Sequence, residues 1–188
     1  IPEALFLGGA ETNPVNGAAY NPNIPSEEVY VTPRAGEAEG IVYATRPLSS
    51  RGVLIEDFWI RFENGRAVDC GARKNEEALR ALIAMDEGSA MLGECALVPY
   101  MSPIRESGLM FFNTLFDENA ACHLALGRGY TSNIRDYGKY TLEELRALGV
   151  NDSMVHEDFM IGSADLSVTG VTASGERIPI FTGGGWAL

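Results

Sequence analysis

His156 and Asp158 stand two residues apart in the stretch SMVHEDFMIG. On a strand, side chains repeat every two residues, so this imidazole and carboxylate would share a face, with Glu157 on the other. Such a pair can converge on a cation, because zinc takes both donor types. It can equally be a buried hydrogen-bonded pair. The chain has two histidines, and His123, the other, lies in LFDENAACHLALGRGY. Taken alone, His123 between Cys122 and Leu124 fits a satisfied core histidine. Asp117 and Glu118 fit carboxylates favoured by the N-terminal end of a helix beginning near Asn119.

Glu94 is the sharpest anomaly. It sits inside the apolar run MLGECALVP, and the nearest basic residues in sequence are Arg80 and Arg105. A lone ionised carboxylate buried there is costly unless paired or ligated. Glu27 and Glu28 adjoin in a short strand, so one of them should face inward. Glu28, Glu94, Glu118 and Asp158, taken with neutral His123 and His156, carry a charge of −4. Two divalent ions would balance it. Charge balance thus permits a two-metal hydrolytic centre, and oxygen and nitrogen donors suit Zn, Mn or Co.

Other chemistry is weakly signalled. No HExxH, GxSxG, P-loop or GxGxxG pattern occurs. Cys122 and His123 adjoin, but neighbours in sequence rarely form a nucleophile–base pair. Gly183, Gly184 and Gly185 read as turn chemistry.

The elements that must position these groups follow from local pattern. Residues 1–26 read as loop, rich in Gly, Asn and Pro. Residues 27–32, 40–48, 89–100, 153–162, 164–172 and 177–184 read as strands. Residues 52–73 form a hairpin about Asn64-Gly65, which supplies the positive φ angles of a type I′ turn. A helix is expected over 75–88, capped by Asn75, and another over 141–149, where Thr141 and Glu144 make a capping box. Residues 109–116 and 119–127 read as helical or helix-adjacent, with Gly127 as a stop. The pattern predicts an α+β domain: a mixed, largely antiparallel curved sheet with a few helices packed on it.

Composition narrows the setting. A net charge of −12 argues against nucleic acid, which asks for a basic stripe. The longest apolar runs fall far short of a membrane span, so no membrane partner is expected. Three cysteines without a CxxC pair suggest a reducing compartment, and a cytoplasmic protein is expected. The first residue, Ile1, suggests a piece of a longer protein.

The segments NIPSEEVYVTP, GECALVP, SPI, NTLFDENAACHLALGRGY and HEDFMIG occur in this order. Together they resemble the thermophilic metallo-aminopeptidase family, of the aminopeptidase T and aminopeptidase S type. The resemblance covers the chain from about residue 20 onward and corresponds to the C-terminal, metal-binding half of those enzymes. It implies that residues 23–188 are the catalytic metal-binding domain and that 1–22 are a loop or remnant of an interdomain connection. It puts Glu28, Glu94, His123, His156 and Asp158 on metal-ligand positions and Glu118 on a further acidic position treated as a ligand. Tyr130 falls on a tyrosine implicated in catalysis. The family implies two co-catalytic divalent ions, a homodimer, peptide substrates and an N-terminal domain in the same full-length protein.

On that basis Glu94 is expected to bridge the metals and Tyr130 to donate to the oxyanion. The general base stays open between Glu27 and Glu118. Two alternatives remain: a metal-stabilised structural or dimerisation domain, inactive without its N-terminal domain, and another two-metal hydrolase such as a phosphoesterase.

Overall fold

The structure, a computed structural model, describes residues 1–13 and 15–188. Its longest element is the expected hairpin. Strands Val53–Glu63 and Arg66–Lys74 pair antiparallel, and Asn64 and Gly65 turn the chain with φ of 49° and 75°. Strands Gly40–Tyr43 and Leu48–Ser50 pair with the first of these. Ile55, Phe58, Ile60 and Phe62 are buried on one side and cluster with Leu79 and Leu82 of the helix Glu76–Ile83.

The same apolar cluster includes Leu126 and Phe159, which belong to a second antiparallel sheet. Its four strands run in the spatial order His156–Met160, His123–Gly127, Leu92–Leu97, Val29–Val31. Alternation divides this sheet into two faces. Leu126 and Phe159 look toward the hairpin layer, where Phe159 meets Phe58 with ring centroids 5.8 Å apart. His156 and Asp158 alternate with Phe159, and His123 and Ala125 with Leu126, so these four look the other way.

Two smaller units complete the domain. Strands Val168–Val171, Arg177–Thr182 and Gly185–Trp186 form a three-stranded sheet whose Phe181 packs on Leu97 and Cys122. Helix Leu142–Leu148 carries both halves of the expected capping box and ends at Gly149, φ 107°. Its Leu145 packs with Ile134 and Val150 and against Ile1 and Ala4. The class is α+β, and every strand pairing among the described residues is antiparallel.

Several local expectations need correction. Residues 119–127 are a short 3-10 turn, Glu118–Ala120, followed by a strand, His123–Gly127. The helix propensity of Ala and Leu there yields to pairing on both edges, with Leu92–Leu97 and with His156–Met160. Glu118 therefore does not open a helix; it ends one, Thr114–Asp117. The helix expected over 75–88 stops at Ile83, where the Ser89 hydroxyl donates to the Ile83 carbonyl at 2.8 Å. Asn75 has φ 60° and does not cap; its amide donates to Leu54 O at 2.7 Å. The 40–48 strand is broken, and the 89–100 strand is confined to Leu92–Leu97. Within the opening segment, Glu11–Thr12 pairs with Ala19–Tyr20, and Leu7 bridges to Tyr30.

Candidate metal centre

The outward face of the second sheet is lined with groups that belong in water. Asp158, Ala125 and Glu94 lie side by side across three strands, Asp158 opposite Ala125 and Ala125 opposite Glu94. The small alanine leaves room between the carboxylates. Glu94 reaches this face through a β-bulge: Leu92 pairs with Leu126 but Glu94 pairs with Ala125, so Gly93 is the extra residue. Without the bulge, Leu92 and Glu94 would share a face. Only glycine fits there, since a Cβ at position 93 would lie 2.3 Å from the Gly127 and Arg128 carbonyl oxygens. An isolated glycine in an apolar strand is the sequence signal that could have located this turn inward.

Glu28, Glu94 and His123 bring one donor atom each within 4.8 Å of one another, and Glu94, His156 and Asp158 do the same. Glu94 belongs to both groups. His123 Nε2 lies 3.0 Å from Glu28 Oε2, and His156 Nε2 lies 3.0 Å from Glu94 Oε2 and 3.3 Å from Asp158 Oδ1. Yet Glu28 Oε2 and Asp158 Oδ1 are buried and have no hydrogen-bond partner. Those two contacts have the distance of an ion pair without the alignment of a hydrogen bond, and leaving such atoms unmet is costly. A cation among them would meet the need, so the residues present fit a metal.

The far side of each imidazole is fixed. His123 Nδ1 faces Ala121 O at 3.1 Å, and His156 Nδ1 faces Arg128 O at 2.7 Å. Both Nδ1 atoms act as donors, so each Nε2 turns its lone pair toward the carboxylates only once its proton is displaced, the arrangement that orients metal-binding histidines.

A cavity of about 390 Å³ opens over these groups, and no Lys or Arg lines it. Burial raises the Glu94 carboxyl, and Asp158 and Glu28 raise it further against the bond from His156. Burial, with Asp158 and Glu28 adding to it, takes Glu118 to about 8. Burial alone would lower both imidazoles, but the carboxylates reverse this: His123 is held at about 10, chiefly by Glu28, and His156 at about 11, chiefly by Asp158 and Glu94. Asp158 is lowered, because His156 and His123 outweigh its burial.

Glu118 lines the cavity but stands outside both donor groups, and Asn23 Nδ2 donates to its Oε1 at 3.2 Å. Glu27 is exposed and does not line the cavity; its N–H donates to Asn119 Oδ1 at 2.7 Å. Tyr130 stands at the mouth, its hydroxyl 3.2 Å from His156 Nε2. Burial and the carboxylates of Glu94, Asp158 and Glu118 push its phenol far up, so it keeps its proton. Sequence reasoning missed what fixes it. Thr32 and Asn133 are fully buried; the Tyr130 N–H donates to Thr32 Oγ1 at 2.8 Å, and that hydroxyl lies 3.1 Å from Asn133 Oδ1. Nothing in the local pattern around Thr32 announces this.

Comparison with known proteins agrees with the geometry. The sequence pattern of the family described as thermophilic metalloprotease (M29) matches residues 1–186. The chain is 51% identical over 184 residues to aminopeptidase 2 of Geobacillus stearothermophilus, covering 98% of this chain and 44% of that protein. It is 48% identical to aminopeptidase T of Thermus aquaticus, with the same shares covered. The solved structure of wild-type AmpT from Thermus thermophilus superposes with a TM-score of 0.91 at 45% identity, over 99% of this chain and 45% of that one. The chain thus spans less than half the length of these relatives. By its match from residue 1 to residue 186, the chain belongs to the thermophilic metalloprotease family M29.

Proposed function

We propose that this chain is the metal-binding catalytic part of an aminopeptidase that removes N-terminal residues from peptides. In this reading Glu28, Glu94 and His123 would hold one divalent ion, and Glu94, His156 and Asp158 a second. The observation that carries it is the pair of donor groups sharing Glu94, with Glu28 Oε2 and Asp158 Oδ1 buried and unmet. All the donors are oxygen or nitrogen, which suits Zn, Co or Mn. Glu118 is a further, more distant ligand or the proton-transfer group.

When bound, such ions supply Lewis-acid polarisation of a carbonyl and a nucleophilic water at neutral pH. The chain's own groups do the rest. Tyr130, held protonated and fixed through its backbone by Thr32, donates a hydrogen bond to the oxygen that gains charge at the scissile carbon. Glu118, at about 8, can carry a proton near neutral pH, whereas exposed Glu27 does not line the cavity. The acidic lining favours a free α-amine, which an internal peptide segment lacks.

Residues 23–188 are the catalytic domain in this reading, with 1–22 as the connection to the N-terminal domain of the full-length protein. A cytoplasmic homodimer completes the reading. Leu115, which lines the cavity, and Leu109, Phe111 and Phe112 shortly before it in the chain are exposed and offer apolar surface for such contacts.

The test is turnover of leucyl arylamide by the full-length protein, before and after chelation and on restoring Zn, Co or Mn. Activity lost on chelation and regained with metal is expected. Unchanged activity in EDTA, or none under any metal, overturns the reading.

A further inference from the structure

A second cavity, of about 320 Å³, lies on the other side of Tyr130. Tyr130 and Ser132 line both cavities, so the two are neighbours that share these residues. Its size is at the small end of small-molecule sites. Leu142, Leu145 and Val150 give it an apolar wall, and Arg128 and Arg146 stand at it exposed.

The charge here is opposite to that of the metal cavity. Asp152 is the acidic partner of both arginines: Arg146 Nη2 bonds its Oδ2, and Arg128 Nη2 is 3.7 Å from its Oδ1. One carboxylate facing two guanidiniums leaves a surplus positive charge. In a chain of net charge −12, that is a place where an anion is favoured. Guanidinium groups match carboxylates in particular.

We propose that this cavity receives the part of a peptide substrate beyond the scissile bond, and that Arg128 and Arg146 hold its C-terminal carboxylate. The proposal rests on the aminopeptidase reading. The N-terminal residue occupies the metal cavity, the scissile carbonyl lies at Tyr130, and the remainder crosses into the second cavity. The small volume suits a short remainder. The preferred substrates are therefore short peptides with a free C-terminus, and the arginines act as specificity-determining residues, outside the chemistry itself.

The experiment uses the full-length, metal-loaded protein with three substrates: leucylglycylglycine, its C-terminal amide, and leucyl arylamide, which has no carboxylate. The wild type should favour the acid over the amide through a lower KM, by about tenfold for a charged hydrogen-bonded contact. Arg146→Gln, and more so Arg128→Gln with Arg146→Gln, should raise KM for the acid to that of the amide. Arylamide turnover by Arg146→Gln should stay within about twofold, since its side chain touches none of the reacting groups. Equal treatment of acid and amide by the wild type overturns the proposal, and so does a loss in the variants that is equal for all three substrates. A wild type that cleaves none of the three fails the aminopeptidase reading itself, a different result from arylamide cleavage without discrimination between acid and amide.

Discussion

Along the hairpin Val53–Glu63 and Arg66–Lys74, charge lies outside and is matched. Glu56 meets Lys74 at 2.6 Å and Arg73 at 2.8 Å, and Arg80 meets Glu76 at 2.8 Å. Its interior is apolar, from Ile55 to Phe62. On the neighbouring sheet the positions are reversed. Glu94, Asp158, Glu118 and His123 are buried, and no Lys or Arg faces them across the cavity. Exposed ion pairs contribute little to stability, while buried unmatched carboxylates cost a great deal. The hairpin layer is built for stability, and the second sheet gives some of that stability up to hold a concentrated negative charge. Such a surplus is tolerable in a fold whose cavity receives cations.

Glu94→Gln should break this contrast most completely. It removes the carboxylate common to both donor groups. Losing even an outer partner of a metal ligand costs 10–100-fold, so turnover should fall by about 10³-fold or more. The rise in Tm on adding metal should largely disappear as well, measured by scanning calorimetry with and without Zn. Tyr130→Phe should lower kcat by about 10²–10³-fold while metal content, read by elemental analysis, stays as in the wild type. A variant that loses metal instead would place the phenol among the ligands.

The pH dependence sharpens the same point. In the metal-free protein His123 and His156 keep protons to about 10 and about 11, so incoming ions must displace them. Metal affinity should rise by up to about tenfold per pH unit at each site through the neutral range, one imidazole proton being released per ion, as titration calorimetry in buffers of different ionisation enthalpy would report. Both values lie above the unfolded 6.5. The imidazolium–carboxylate contribution is therefore complete below about 6.5 and lost as pH rises through 10 to 11. The metal-free protein should lose stability in that alkaline window and the metal-loaded protein should not.

Thr32→Val is a smaller perturbation. It leaves the Tyr130 N–H and Asn133 Oδ1 short of a partner, at a stability cost of about 1–3 kcal/mol. Loosening of Tyr130 should lower turnover about tenfold. The smallest effect is expected in the other region: Glu56→Gln should leave turnover and metal content as they are.

The two regions also differed in how far the sequence announced them. The hairpin was legible because Asn64-Gly65 acts through neighbours in the chain, as the capping box of Thr141 and Glu144 does for the helix Leu142–Leu148. The donors of the second sheet were legible as residue types, from Glu94 in an apolar strand and from the spacing of His156 and Asp158. Their placement was not. Ala and Leu around His123 carry helix propensity, and only pairing with two other strands makes 123–127 a strand. The inward turn of Glu94 depends on Gly93 lying against Gly127 and Arg128, more than thirty residues away in the chain. Thr32 and Asn133 meet only in the folded protein.

Anomalous scattering from crystals of the full-length, zinc-loaded protein tests the central claim most directly. Two peaks are predicted flanking Glu94, one toward Glu28 and His123 and the other toward His156 and Asp158. A single peak, or none within reach of Glu94, would contradict it.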